Sequence, residues 1–200
     1  QPYVIICATT VSAYFKKGLD GAVITNRVRA TPNGTGFIKC ASNYVISALA
    51  KKEAEDAGYV ECIYLDAVEH KYFQEGSSCN IFFVLKDGTL VTPELEDTIL
   101  PGITRKSIIA LAREQGMKVE ERKISVDELV AAAKDGTLEE VWGTGTAAVV
   151  SPVGKLRYVD DVMTIGDGGI GELTQKLYDE LTGIQWGKKD DPYGWRVEVK

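Results

Sequence analysis

Four stretches of this chain carry side chains able to do chemistry: G-T-G-F-I-K-C-A-S-N-Y at 34–44, F-Q-E-G-S-S-C-N-I-F-F-V at 73–84, L-P-G-I-T-R at 100–105 and W-G-T-G-T-A-A-V-V-S-P at 142–152. Lys39 stands among Phe37, Ile38 and Cys40 just before a predicted helix. Partial desolvation there would disfavour the ammonium and leave a nucleophilic amine able to form a Schiff base. Taken singly, the residue reads more readily as a strand-edge lysine with a solvated tip. Tyr44 offers a hydroxyl five residues on, or is a core tyrosine. Glu75, beside Gly76 and two serines, is either a carboxylate planted at a core edge by the apolar run 81–85 or a solvated loop residue. The Pro101-Gly102 turn into a helix would leave the N–H groups of Ile103 and Thr104 free for an anion, or is a plain helix start. G-T-G-T-A at 143–147 offers more donors, or is a glycine-rich hairpin.

The elements that must position these residues are readable from periodicity. A strand is expected at 3–8, turns through 16–20, a second apolar segment near 22–28 and a turn cluster at 32–36. From Asn43 to Ala57, Val45, Ile46, Leu49, Ala50 and Ala54 recur at helical spacing, and Gly58 stops the helix. Residues 62–66, 80–85 and 89–93 read as strands, with a hairpin turn at 86–89. An amphipathic helix through Ile103, Ile108, Ile109, Leu111 and Ala112 is expected over 103–115, then a strand at 118–124. Ser125 and Glu128 form a capping-box pattern for a helix carrying Leu129 and Val130 inward. Strands at 139–142 and 147–150 flank a G-T-G loop, and the last helix spans 168–183. Strands outnumber helices without regular alternation, so the predicted class is α+β. No internal repeat is found.

Composition narrows the function. The chain is 44% hydrophobic and 26% charged with a formal net charge of -6, the balance of a soluble, globular enzyme. Its basic residues are scattered singly, so no nucleic-acid partner is expected. No apolar stretch reaches membrane-spanning length, and no membrane partner is expected. Cys7, Cys40, Cys62 and Cys79 lie in apolar runs without zinc or C-x-x-C spacing, which predicts buried, reduced thiols and a cytoplasmic setting. No metal-ligand spacing is present. His70 has no identifiable partner, and the pairs Glu120-Glu121, Glu139-Glu140 and Asp160-Asp161 read as solvated.

In their order the four stretches resemble the branched-chain amino acid aminotransferases, pyridoxal phosphate enzymes of fold type IV. The likeness extends through Y-L-D-A-V-E-H at 64–70 and V-E-E-R-K-I-S-V-D-E-L at 119–129. The resemblance implies an α+β fold with a barrel-like mixed sheet flanked by helices, and it implies the cofactor pyridoxal 5'-phosphate. It implies Lys39 as the Schiff-base lysine and proton shuttle, Tyr44 on the cofactor's phenolic oxygen and Glu75 on its ring nitrogen. The backbone of Ile103 and Thr104 and the hydroxyl of Thr144 would hold its phosphate, and the Thr146 and Ala147 amides the substrate carboxylate. Substrates would be leucine, isoleucine or valine with 2-oxoglutarate, turned over by a homodimer. Gln1 is not an initiator methionine, and nothing corresponds to the family's smaller N-terminal domain, so residues 1–200 are expected to be the large cofactor-binding domain of a longer protein. Ala41 and Ser42 stand where two glycines are common, and Ala148 and Ser151 replace the cysteines of a thiol switch found in some animal members. D-amino acid aminotransferases and aminodeoxychorismate lyases share the fold and remain alternatives, as does a non-catalytic binding or assembly fragment.

Overall fold

The computed structural model describes residues 2–8, 10 and 21–199. The elements run β1 (Ala22–Ile24), α1 (Ser42–Asp56), β2 (Glu61–Leu65), β3 (Phe73–Gly76), β4 (Asn80–Leu85), β5 (Leu90–Thr92), α2 (Ile103–Glu114), β6 (Val119–Glu121), α3 (Val126–Asp135), β7 (Leu138–Gly145), β8 (Val149–Pro152), β9 (Lys155–Tyr158), β10 (Asp161–Thr164) and α4 (Glu172–Gln185). The α+β expectation holds. The strands divide into two five-stranded mixed sheets, ordered β10-β9-β1-β2-β3 and β6-β5-β4-β7-β8.

Side-chain alternation explains the layering. Along β2, Ile63 and Leu65 point one way and Cys62 and Tyr64 the other; along β4, Ile81 and Phe83 oppose Phe82 and Val84. Ile63, Leu65, Ile81 and Phe83 join Ala22, Phe73, Val141 and Leu156 in a core shared by the two sheets. Phe82, Val84 and Trp142 face Ile108, Leu111, Leu177 and Leu181, so α2 and α4 cover the outer face of the second sheet. Ala50 and Ala54 bring α1 onto Cys62 and Tyr64, covering the first. These central strands are buried on both faces, which is why C-I-Y-L and I-F-F-V-L are continuous apolar runs. Full burial of a side chain such as Phe83 contributes roughly 1.5–3 kcal/mol.

Several expectations need correction. Residues 2–8 form no strand and are exposed, Tyr3 to Ile6 included; an apolar run supplies no hydrogen-bonding edge, and this one lies against neither sheet. The turns expected at 16–20 lie outside the described residues. In α1 the helical period is right but the face is not: Asn43, Ser47, Ala50 and Ala54 are buried, while Val45 and Leu49 are exposed. Ile103 likewise lies outside the buried stripe of α2. Residues 143–145 continue β7 rather than forming a loop, and the turn falls at 146–148. Strands β9 and β10 are additions to the elements expected from periodicity. Only half of the capping box forms: Ser125 accepts from the Glu128 N–H at 3.1 Å, but the Glu128 carboxylate pairs with Arg122. Cys7 is exposed and Cys40 partly so, leaving Cys62 and Cys79 as the buried thiols. Glu140 is not merely solvated. Its carboxylate accepts from the N–H groups of Leu173 and Thr174, at 2.9 and 2.8 Å, and from the Thr174 hydroxyl, capping α4 whose own N-cap, Gly171, has no side chain to do so.

Candidate active site

The chain passes from the first sheet to the second through the turn at 77–79, between the last residue of β3 and the first of β4. Glu75 sits at this junction. It belongs to a strand, not to the loop expected from G-S-S, and is 3% exposed. Arg29 Nη1 lies 2.8 Å from its Oε1, and both side chains are buried. The Leu100 N–H donates to Oε1 at 3.2 Å and Asn80 Nδ2 to Oε2 at 3.0 Å. Burial outweighs these partners and pushes the Glu75 carboxyl up to about 7, against the pull of Arg29, the Leu100 amide and the charge of Lys39. Arg29 also donates to the carbonyls of Thr98 and Gly36, at 3.0 and 3.3 Å, so one guanidinium joins Glu75 to the segments leading into Lys39 and into residues 100–104.

Lys39 is carried by a loop locked to the start of α1. Asn43 Nδ2 donates to the Thr35 and Ile38 carbonyls at 2.7 and 2.9 Å, and the Thr35 hydroxyl donates back to Asn43 Oδ1 at 3.0 Å. The lysine Nζ then reaches Tyr44 Oη at 2.9 Å, the tyrosine lying in the first turn of the helix. The desolvation expected for this amine is not provided by its own neighbours: Lys39 is exposed, and Phe37 and Ile38 are each nearly half exposed.

A third group of donors surrounds the N-terminus of α2. Its N-cap, Gly102, is extended and makes no side-chain cap bond, so the first-turn N–H groups of Ile103 and Thr104 precede the helical ladder without a cap. Glycine is required at 102 by contact rather than by its backbone angles, because a Cβ there would collide with Asn80 Oδ1. Asn80 Nδ2 holds the Leu100 carbonyl at 2.9 Å, and Asn80 is paired in register with Thr144 of β7. The Thr144 hydroxyl is buried and has no hydrogen-bond partner. Thr146 and Ala147 occupy the exposed turn between β7 and β8. Arg105 turns away, donating to the Pro93 carbonyl at 2.8 Å and pairing with Glu121 at 3.0 Å.

The expected residues thus fall into three adjoining sets, Lys39 with Tyr44, Glu75 at the sheet junction, and Thr104 with Thr144 around Asn80. Arg29 and Asn80 tie the sets together; Arg29 stands in none of the four stretches, and Asn80 stands within 73–84 but with no role expected of it there. A cleft of about 390 Å³, lined by Phe73, Gln74, Pro93, Asp97, Thr98 and Lys123 among others, includes none of Lys39, Tyr44, Glu75 or Thr144. Convergent chemistry, rather than cavity size, locates this site. Among the described residues no His, Cys, Asp and Glu cluster could hold a metal, His70 is exposed, and no helix is long and apolar enough to cross a membrane.

A family model described as amino-transferase class IV matches residues 1–156. A probable branched-chain-amino-acid aminotransferase of Staphylococcus epidermidis is 56% identical over 172 residues, covering 86% of this chain and 48% of the relative. Branched-chain-amino-acid aminotransferase 2 of Bacillus subtilis is 48% identical over 198 residues, covering 98% of this chain and 54% of the relative. The chain spans about half the length of the curated relatives it matches. Among solved structures, the branched-chain amino acid aminotransferase of Escherichia coli superposes with a TM-score of 0.76 at 37% identity, covering 89% of this chain and 56% of that one. The branched-chain amino acid aminotransferase of Thermoproteus uzoniensis, solved with norvaline, gives 0.79 at 32% identity, covering 92% and 57%.

Proposed function

The chain belongs to the class IV aminotransferases, and from that premise we propose that its 200 residues form the pyridoxal phosphate-binding domain of an enzyme exchanging an amino group between leucine, isoleucine or valine and 2-oxoglutarate. The observation that carries the reading is the convergence of an exposed lysine bonded to a tyrosine, a buried carboxyl poised near neutrality, a helix N-terminus without a side-chain cap and, among the described residues, a partnerless buried hydroxyl on Thr144. These residues fit the cofactor. An uncapped helix start and a buried hydroxyl without a partner are what a phosphate satisfies.

Lys39 would hold the cofactor's aldehyde carbon and, once released, would carry the proton between the substrate's α carbon and that same aldehyde carbon. Tyr44 orients that amine through the 2.9 Å hydrogen bond and offers its hydroxyl to the phenolic oxygen. Glu75 would pair with the ring nitrogen; a carboxyl raised to about 7 is matched to sharing a proton with a pyridine, and Arg29 and Asn80 fix its orientation. The amides of Ile103 and Thr104 with the Thr144 hydroxyl would hold the phosphate, and the amides of Thr146 and Ala147 the substrate carboxylate. When bound, pyridoxal phosphate supplies the electron sink that makes loss of the α proton accessible. We place the enzyme in the cytoplasm as a homodimer acting on amino acids and 2-oxo acids. The branched-chain preference rests on relatives at 46–56% identity that are branched-chain-amino-acid aminotransferases by name.

The test is 2-oxo acid release from leucine, isoleucine and valine with 2-oxoglutarate as acceptor, run beside D-alanine and aminodeoxychorismate. Turnover of the three branched-chain L-amino acids, each at least tenfold above D-alanine, about 1.4 kcal/mol in the barrier, is expected. Preference for D-alanine, or pyruvate release from aminodeoxychorismate, would replace this reading with one of the sister activities.

A further inference from the structure

Glu61 is a second buried carboxylate, 1% exposed, and the proposed chemistry does not use it. It opens β2, yet its side chain is spent on a different part of the chain. Oε1 accepts from the N–H groups of Cys62, at 2.8 Å, and Ser77, at 3.1 Å; Oε2 accepts from the Ser78 hydroxyl at 3.0 Å, with Cys79 Sγ at 4.0 Å. Ser77, Ser78 and Cys79 are the residues that carry the chain from β3 to β4. The same turn is closed by backbone bonds from the Gly76 N–H to the Cys79 carbonyl, at 2.8 Å, and from the Ser77 N–H to the Cys62 carbonyl, at 3.0 Å. It is tight enough that a Cβ on Gly76 would stand 2.9 Å from Cys79 Sγ.

The two residues flanking this turn are Glu75, one position before Gly76, and Asn80, one position after Cys79. The 3.0 Å bond from Asn80 Nδ2 to Glu75 Oε2 exists only because the turn returns the chain at that spacing. Asn80 in turn holds Leu100 and abuts Gly102, ahead of the expected phosphate donors.

We propose that Glu61 is a positioning residue for the cofactor: by fixing the Ser77–Cys79 turn it sets the placement of Glu75 against the ring nitrogen and of Asn80 against the α2 N-terminus. This rests on the reading of Glu75 as the ring-nitrogen partner. The surrounding thiols respond to the charge, since burial and then Glu61 push the Cys62 thiol up to about 12. A carboxylate is suited to the task because it accepts on both oxygens, and hydrogen bonds to a charged acceptor are stronger than neutral ones.

The experiment compares the intact protein with its Glu61→Ala, Glu61→Gln and Ser78→Ala variants, and with Leu129→Ala as a destabilised control whose buried side chain belongs to α3 and not to the turn. Two readouts are taken: the pH midpoint of the Glu75 carboxyl by carbon NMR without cofactor, and the dissociation constant for pyridoxal phosphate. The Glu75 midpoint is expected to fall toward the ordinary carboxylate range in Glu61→Ala as its seal opens, and affinity to weaken roughly tenfold or more, the equivalent of one charge-assisted hydrogen bond. Glu61→Gln, which keeps an acceptor for the amides, should recover part of both, Ser78→Ala should show a smaller change of the same sign, and Leu129→Ala should move neither. An unchanged midpoint and affinity in Glu61→Ala and Ser78→Ala, with only a lower melting temperature, would reduce Glu61 to a structural residue. Should the unaltered protein fail to bind pyridoxal phosphate, the functional reading falls, while the Glu75 titration still decides what Glu61 does.

Discussion

Replacing Arg29 with methionine is expected to cost the protein about 3–5 kcal/mol, the usual penalty for removing one partner of a buried ion pair. Above about pH 7, where Glu75 is ionised, three losses coincide: the carboxylate keeps its burial without its 2.8 Å counter-ion, and the Thr98 and Gly36 carbonyls lose their donor. For a domain of this size the melting temperature should fall by roughly 6–20 °C. The effect should be coupled. In Arg29→Met with Glu75→Gln, the second change removes the stranded charge, so the double variant should be more stable than the sum of the singles, by on the order of 1–3 kcal/mol in a double-mutant cycle. Denaturant titrations of the four proteins supply the cycle; additivity within about 0.5 kcal/mol would mean that the two side chains do not interact.

The second large effect is a dependence of stability on pH that runs opposite to most proteins. Burial raises the folded-state value of Glu75 from 4.5 to about 7, so between these values the folded state binds a proton that the unfolded state has released. Stability is therefore fully present below 4.5 and is lost as pH rises through about 7. At about 1.4 kcal/mol per pH step the loss is roughly 3 kcal/mol. The carboxylates shifted the other way, Glu53, Asp66, Asp87, Glu120 and Asp191, act below their ordinary values and leave this window clear. Urea midpoints of the cofactor-free protein across the window should decline, and Glu75→Gln, which has no proton to release there, should give a flat profile. A wild-type profile that rises or stays level from pH 5 to 7 would remove Glu75 as a group held near neutrality.

The site was legible where chemistry is written in short contiguous motifs, and illegible where it depends on what covers a surface. Lys39 and Tyr44 fall within one motif and do bond to one another. Glu75 was singled out as a candidate, but its strand was not expected, since F-Q-E-G is too short and polar to show a two-residue period, and only the pairing of β3 with β2 defines it. In α1 the period was visible, yet Val45 and Leu49 are exposed, because the small residues Ser47, Ala50 and Ala54 allow the helix to approach β2 closely. Arg29 carries no local signal at all. Its meaning comes from three segments that meet around its guanidinium, and no linear pattern reports such a meeting. The α+β class survived these errors because it depends on element order, which the turn signals set, rather than on the face each element presents.

The central claim is that Lys39 is the amine that receives the cofactor. Borohydride reduction of the protein mixed with pyridoxal phosphate, followed by peptide mapping, tests it most directly, because reduction fixes the bound aldehyde onto its lysine as a stable secondary amine. One dominant label on Lys39, lost in Lys39→Ala, is the predicted result. A label spread evenly over exposed lysines such as Lys52 and Lys106, and unchanged in Lys39→Ala, would contradict it.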